Sequence, residues 1–240
     1  MPAQRFQSAT RITGRSKDKK RMSKLTIGMA IVSIGTIVAG CLTMSPEERR
    51  AAYQEEFERL ASLPVAQQVS SPNKDVSGCA MLSCGLFNEV QPLMKAYVAK
   101  VESSREYTGF MNDIRYYAEE EKLSNADACK KVMDAVLAAD AARPDDQKIW
   151  PKIKKGIDAA NELDPKKQLI QIAALTVKNQ EVSKKVETLP ESYAQEDFTG
   201  KMARGKECSA ISKQLADVTE CLVFLGDQYA RVVELENCSR

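Results

Sequence analysis

The sequence predicts an all-α protein, a disulfide-stapled helical bundle that ends in a long C-terminal helix. Three observations support this fold class. Glycine is sparse, with 11 of 240 residues, while residues that favour helices are plentiful. No alternating polar and apolar stretch is both long and bounded by turns, as a strand would be. Near the C-terminus, apolar residues recur every three or four positions for more than three heptads.

The first 41 residues have the organisation of a secretory signal. A basic stretch ends at Lys24, and the next 16 residues, Leu25–Gly40, carry no charge. About 20 apolar residues are needed to cross the hydrocarbon core of a bilayer, so this run is short for a stable span. A basic region, a short apolar segment and small residues before a cleavage site are typical of a signal that is removed. We expect residues 1–40 to be a signal peptide, with Met22 as a second start.

The residues at the expected cleavage site are Val38, Ala39, Gly40 and Cys41. This tetrapeptide resembles the lipobox of bacterial lipoproteins, and the resemblance covers only the signal region. It implies that Cys41 is diacylated on its sulfur, becomes the mature N-terminus and gains a third acyl chain, a firm membrane anchor. Leu42 rather than an aspartate follows the cysteine. This implies a protein that is lipid-anchored in the outer membrane on the periplasmic side, with surface exposure as the alternative.

The net charge of the whole chain, +2, conceals an acidic mature protein. Eight of the 35 basic residues but only one of the 33 acidic residues lie in residues 1–40, which leaves a net charge of −5. Such a protein has no broad attraction for nucleic acid or for anionic lipid, and its charge favours solubility. We therefore expect no nucleic-acid partner.

Residues 41–77 are expected to form the lipid-anchored cysteine, a short helix and a linker. Ser45 and Pro46 are the residue types of an N-cap and a first helical position. The helix carries one apolar stripe, made of Tyr53, Phe57 and Leu60. Pro64 ends it, and the polar segment 65–77 is the linker. The sequence thus predicts a short helix tethered to a separate bundle domain of residues 78–240.

The first part of the bundle is expected to contain four helical segments. The first covers about Gly78–Tyr107, and Pro92 must kink or divide it. Its inward residues are Leu82, Leu86, Val90, Leu93, Tyr97 and Val101. A less regular segment covers 110–122. Ser124 and Asp127 resemble a capping box, with Asp in place of Glu, and begin a helix that ends near residue 142. The fourth covers 145–163.

The last two helices carry the most regular apolar patterns. Asp164 and Pro165 begin the first of them, whose buried face is Ile172, Leu175, Asn179, Val182, Val186 and Leu189. The second carries a heptad seam of Cys208, Ile211, Leu215, Val218, Leu222, Leu225, Tyr229 and Val232. We expect this seam to pack inside its own bundle. In the alternative, a coiled coil with another chain, Asn179 would fix the register.

The six cysteines of the mature domain are candidates for structural disulfides, because their number is even and the periplasm is oxidising. They are Cys79, Cys84, Cys129, Cys208, Cys221 and Cys238. On one continuous helix the last three lie about 20 and 25 Å apart, too far to bridge one another, so each must reach one of the first three. Six connectivities remain. Antiparallel first and last helices would favour Cys79–Cys238, Cys84–Cys221 and Cys129–Cys208.

The composition argues against an enzyme and against a bound metal or cofactor. The chain has 0 histidines, which removes Ser–His–Asp and Cys–His catalysis. It contains no CxxC, no CxxCH and no glycine-rich phosphate loop. The one SxxK match, Ser71 to Lys74, falls in the expected linker. Trp150 with Tyr116 and Tyr117 could line a carbohydrate groove, but core or rim packing is the simpler use. We expect no catalytic residue.

These expectations combine into an outer-membrane lipoprotein whose periplasmic domain is a non-enzymatic accessory or scaffold subunit that binds other cell-envelope proteins. This interpretation rests on three expected features: a membrane anchor, a spacer and a rigid helical body. A second interpretation is a binding module or inhibitor, such as an immunity-type lipoprotein that blocks one periplasmic toxin or hydrolase. A third is an enzyme that uses carboxylates or a Ser–Lys pair.

Overall fold

The fold was obtained as a computed structural model, which describes residues 45–238. The expected signal peptide and the lipid-anchored Cys41 lie outside these residues. The prediction of an all-α bundle with a long C-terminal helix is confirmed, and a 3-10 turn at Asp145–Gln147 is the other helical element described. The α-helices are α1 (Pro46–Ala61), α2 (Lys74–Val101), α3 (Arg105–Glu120), α4 (Asn125–Ala141), α5 (Trp150–Asn161), α6 (Pro165–Ser192) and α7 (Phe198–Cys238).

A reciprocal capping box begins α1. The Ser45 N–H donates to the Glu48 carboxylate at 2.7 Å, and the Glu48 N–H donates to Ser45 Oγ at 3.2 Å. The predicted stripe of this helix is also confirmed, since Tyr53, Phe57 and Leu60 are all buried. From Arg50 onward the helix belongs to the same compact unit as the bundle. This part of α1 is therefore packed on the core rather than tethered apart from it.

The first bundle helix begins and ends earlier than predicted, because side-chain caps fix the start of α2 and the start of the helix that follows it. Asn73 Oδ1 accepts the N–H groups of Asp75 and Val76, so α2 begins at Lys74. Ser104 Oγ accepts the Tyr107 N–H at 3.3 Å and begins α3 where α2 was expected to continue. Pro92 lies inside α2 and does not divide it.

The inward face of α2 was predicted only in part. Leu86, Val90, Tyr97 and Val101 are buried, whereas Leu82 is 44% exposed and Leu93 is partly buried. A series of four-residue steps rotates around a helix by about 40° per step, because the helix has 3.6 residues per turn. The actual face also uses Val76, Cys79, Ala80, Ser83, Phe87 and Met94. The buried positions 76, 79, 83, 86, 90, 94, 97 and 101 mix three- and four-residue steps, which keeps them on one side of the helix.

The helix expected over 145–163 is shorter, since a buried carboxylate fixes its start. Asp140 at the end of α4 accepts the N–H groups of Ile149 and Trp150 at 2.6–3.0 Å. Its carboxylate takes the place of a cap residue at the N-terminus of α5. Pro151 lies in the first turn of that helix.

The last two helices confirm the heptad prediction and form an antiparallel hairpin. Ile172 lies beside Gly226, and Asn179 contacts Thr219, so the chain directions of α6 and α7 are opposed. All six residues predicted on the α6 face are buried, and so is the predicted α7 seam except Cys208, which is partly buried. With 41 residues, α7 is about 60 Å long and packs against α2, α4 and α6.

The predicted disulfide staples are absent from the described residues, where all six cysteines are free thiols. The favoured connectivity also rested on a wrong helix direction. Gln214 donates to Ser83, and Tyr97 donates to Gln228, so α2 and α7 run parallel. The parallel arrangement places Cys79 level with the N-terminal half of α7 and far from Cys238.

Candidate functional site

The residues singled out in the sequence do not gather into one site. Trp150 packs edge-on against Phe110, with ring centroids 6.0 Å apart. The rings of Tyr116 and Tyr117 pack against each other, with centroids 5.4 Å apart. Ser71 accepts a hydrogen bond of 2.7 Å from the buried Arg204, which gives this serine a structural partner. These contacts favour the packing interpretation of each motif.

One polar cluster holds α1 on α3. The Arg115 guanidinium donates to Glu119 at 2.8 Å and to Glu56 at 2.5 Å, and it lies 4.1 Å from the centre of the Tyr53 ring. The Tyr53 hydroxyl donates to Glu119 at 2.6 Å. Burial opposes ionisation of Glu119, but the hydrogen bonds from Arg115 and Tyr53 outweigh it and lower the pKa of this carboxyl. These four side chains, Tyr53, Glu56, Arg115 and Glu119, thus join α1 to α3, and we call them the latch on α1.

A groove of about 280 Å³ on the α6–α7 hairpin is the strongest candidate for a binding site. It is lined by Asn179, Gln180, Lys184, Glu187, Thr219 and Val223, among others. Short side chains such as Thr219 leave the space between the two helix axes unfilled. Most of its accessible lining is apolar, and Val223, one of the lining residues, is 61% exposed. The groove thus offers an apolar surface that includes Leu222 and Val223, together with two opposite charges and several hydrogen-bonding groups.

Asn179 gives the groove an unfinished hydrogen-bond arrangement. Its side chain is 4% exposed, and its Nδ2 donates to Thr219 Oγ1 at 2.7 Å and to the Leu215 carbonyl at 3.5 Å. Its Oδ1 is buried and accepts no hydrogen bond. An unpaired buried acceptor costs about 1–3 kcal/mol. A donor from a ligand recovers this cost only if the groove opens enough to expose the oxygen, which is inaccessible to solvent here.

The surface around the hairpin is richer in exposed apolar side chains than the rest of the bundle. Of the nine large apolar side chains that are exposed in the described residues, five lie on α6 and α7: Ile170, Val177, Phe198, Met202 and Val223. A protein-binding surface needs apolar side chains of this kind, because their burial supplies the driving force for association. The hairpin is thus the helix pair best suited to contact another protein.

Sequence reasoning found Asn179 but not the groove itself. The asparagine was visible because it interrupts an apolar seam. Gln180, Lys184 and Val223 lie on exposed positions between seam residues, where the heptad pattern carries no information. The signal that could have located these groove residues is the polar residue within the seam. Its neighbours on the exposed side of each helix are the positions to inspect.

Two further properties bear on the site. Within residues 45–238 no cluster of three or more Cys, Asp or Glu side chains has the arrangement of a metal site. No helix in this range combines the length and apolarity that a bilayer span requires.

No family model matches the chain, and comparison with curated proteins and with solved structures gave no significant match.

Proposed function

We propose that this chain is an outer-membrane lipoprotein, anchored through Cys41, whose helical body binds other cell-envelope proteins as a non-enzymatic accessory or scaffold subunit. The observation that supports the binding role is the groove on the α6–α7 hairpin, with its unpaired Asn179 Oδ1 and its exposed Val223. The anchor rests on the lipobox resemblance of residues 38–41.

The partner that fits this groove is an α-helix of a second protein. The groove runs between two antiparallel helices, and side-chain ridges of a third helix can pack into such a groove. Lys184 and Glu187 lie one turn apart on α6 at its edge. The partner helix would therefore present an acidic and a basic residue one turn apart, an apolar residue against Val223, and a donor for Asn179 Oδ1.

Site-specific photocrosslinking tests the partner and the surface together. A photoreactive residue is introduced at Val223 and, as a matched control, at Met81, which is 64% exposed on α2 and lies outside the groove. We expect a defined crosslink from position 223 to a helix of one envelope protein and none from position 81. Equal crosslinking from both positions would contradict the groove as the binding site.

Native co-purification from detergent-extracted envelopes distinguishes the two kinds of binding role. Val223→Arg should remove the partner, because a charge replaces the apolar contact, while Met81→Arg should leave it bound. A large stoichiometric assembly supports the scaffold role. A single partner at one to one supports the inhibitor interpretation, which the same groove could serve. An assembly unchanged by Val223→Arg would contradict both uses of the groove.

A further inference from the structure

Cys129 of α4 and Cys238 of α7 form a first pair of neighbouring thiols. The two helices run antiparallel here, and each thiol reaches the backbone of the opposite helix. Cys129 Sγ donates to the Arg231 carbonyl at 3.9 Å, and Cys238 Sγ donates to the Ala126 carbonyl at 3.9 Å. Burial raises the pKa of Cys129 to about 12, and the nearby Cys238 thiol contributes in the same direction. The two sulfurs thus lie at the same α4–α7 interface.

Cys79 of α2 and Cys208 of α7 form a second pair. The hydrogen bond of 3.2 Å from Gln214 to Ser83 sets the register of these parallel helices. Cys79 lies about 6 Å before Ser83 along its helix, and Cys208 lies about 9 Å before Gln214, so the two cysteines are nearly level. Burial raises the pKa of Cys79, Lys185 opposes this shift, and Cys208 adds to it.

The two remaining cysteines provide an internal control. Cys84 accepts a weak hydrogen bond from Asn88 at 3.7 Å. Cys221 is 3% exposed and packs among apolar side chains that include Leu60, Val90 and Met94. Burial raises the pKa of Cys221 to about 12, and the neighbouring Asp217 carboxylate is the second cause of this rise. No second thiol contributes to it. In the described part of the chain, neither cysteine has a cysteine neighbour among these contacts.

We propose that oxidation links Cys79 to Cys208 and Cys129 to Cys238, and leaves Cys84 and Cys221 as thiols. Each bridge would join α7 to a different helix. This inference rests on the proposed envelope location only for the oxidising conditions, because the pairing itself follows from the packing of α2, α4 and α7. It differs from the connectivity that antiparallel first and last helices would require.

The chemistry of each bridge is two successive thiol–disulfide exchanges with a disulfide oxidant. Cys208 and Cys238 are the partly exposed members of their pairs, so their thiolates attack the oxidant first and release one of its thiols. The buried partner then loses its proton, attacks the mixed disulfide and releases the second thiol. For each bridge the protein loses two electrons and two protons, and the disulfide oxidant is reduced to two thiols.

The test is disulfide mapping of the purified full chain. The protein in detergent is equilibrated with oxidised glutathione, quenched in acid, alkylated and digested, and its peptides are analysed by mass spectrometry. We expect bridged peptides 79–208 and 129–238, and alkylated Cys84 and Cys221. A bridge between Cys84 and Cys221, a 79–238 bridge, or alkylation of all six cysteines would overturn the proposal.

Three variants make the result specific. Cys208→Ser should abolish only the first bridge and leave Cys79 alkylated, and Cys238→Ser should abolish only the second. Cys84→Ser, the matched control, should retain both. Mapping the protein from whole cells alkylated before lysis separates this inference from the proposed location. Bridges that form in vitro but are missing in cells would contradict an oxidising compartment while supporting the pairing.

Discussion

At the scale of single residues, Asn179 shows how one polar side chain sets the pairing of two apolar seams. Its Nδ2 reaches Thr219 and Leu215, which are specific positions on α7, so a shift of register would break both hydrogen bonds. Polar residues inside seams are known to exchange stability for specificity of pairing in this way. The unpaired Oδ1 is the cost of that arrangement in this hairpin.

Replacing Asn179 should separate the stability of the bundle from partner binding. Asn179→Leu removes the unpaired acceptor and buries an apolar side chain, while Thr219 Oγ1 still donates to the Leu215 carbonyl at 2.9 Å. We expect the free energy of unfolding in urea to rise by about 1 kcal/mol. Crosslinking from position 223 should weaken.

The control for this variant is Asn179→Asp, which should destabilise the protein because it buries a charge and removes the amide donor. A loss of stability in Asn179→Leu as large as in Asn179→Asp would show that the amide is essential to the hairpin. It would then not be a group held ready for a partner.

Gly156 in α5 must be a glycine because the Tyr107 side chain packs directly against it. Its position inside a helix gives no sign of this requirement. A Cβ at this position would lie 2.4 Å from the Tyr107 Cβ. Tyr107 is held in turn by the Tyr97 hydroxyl at 3.2 Å, and Tyr97 donates to Gln228 at 3.1 Å. Tyr107 therefore cannot move aside without disturbing hydrogen bonds in the core.

We expect Gly156→Ala to lower the free energy of unfolding by about 1–3 kcal/mol, the usual cost of overpacking, despite the better helix propensity of alanine. Gly85→Ala and Gly109→Ala are matched controls, since both glycines are helical and a Cβ there meets nothing within 4 Å. These should raise stability by up to about 1 kcal/mol. Urea unfolding checks all three, and equal effects would refute the packing argument.

At the scale of elements, the latch on α1 makes the stability of the protein depend on pH. The pKa of Glu119 is lowered in the folded state, so its contribution is complete above the unfolded value of about 4.3 and is lost as the pH falls further. Because this carboxyl is partly exposed to solvent, the contribution is about 1 kcal/mol or less.

The measurement is the urea unfolding free energy at pH 6 and pH 3.5. Wild type should lose more stability on acidification than Glu119→Gln, which cannot titrate. Asp158→Asn, which removes an exposed pair with Lys154 on α5, serves as the control and should behave like wild type. A wild-type and Glu119→Gln pair with the same pH dependence would show that the latch does not depend on ionised Glu119.

The elements differ in how far the sequence predicts them. The two helices of the α6–α7 hairpin were each predictable because both keep a strict seam and Asp164 marks the start of α6. The face of α2 was not, because long apolar residues such as Leu82 lie beside the buried stripe and imitate it. The direction of α2 relative to α7 depends on long-range contacts such as Ser83 with Gln214, which leave no periodic signal. The groove was missed for the same reason.

At the scale of the whole molecule, the proposed anchor and the bundle can be tested by separate variants. We expect Cys41→Ser to abolish acylation, because the serine hydroxyl cannot replace the thiol, and to leave an uncleaved chain without the lipid. Several acyl chains account for most of the membrane affinity of a lipid-anchored protein. Intact mass and membrane fractionation after carbonate washing test this expectation.

The control is Cys84→Ser, which should remain lipidated and membrane-bound. If Cys41→Ser kept the mass and the membrane association of wild type, the lipobox interpretation would be wrong. The bundle would still have its groove, so partner binding by the detergent-solubilised variant can be assayed independently of the anchor.

Trp150 gives the molecule a built-in optical reporter. It is the single tryptophan of the chain, and it lies where the Asp140 carboxylate holds the start of α5 and where its ring meets Phe110. Intrinsic fluorescence therefore reports on the junction of α3, α4 and α5, while far-ultraviolet circular dichroism averages over all helices. Coincident transitions by the two probes would mean that this junction and the long α7 melt as one cooperative unit.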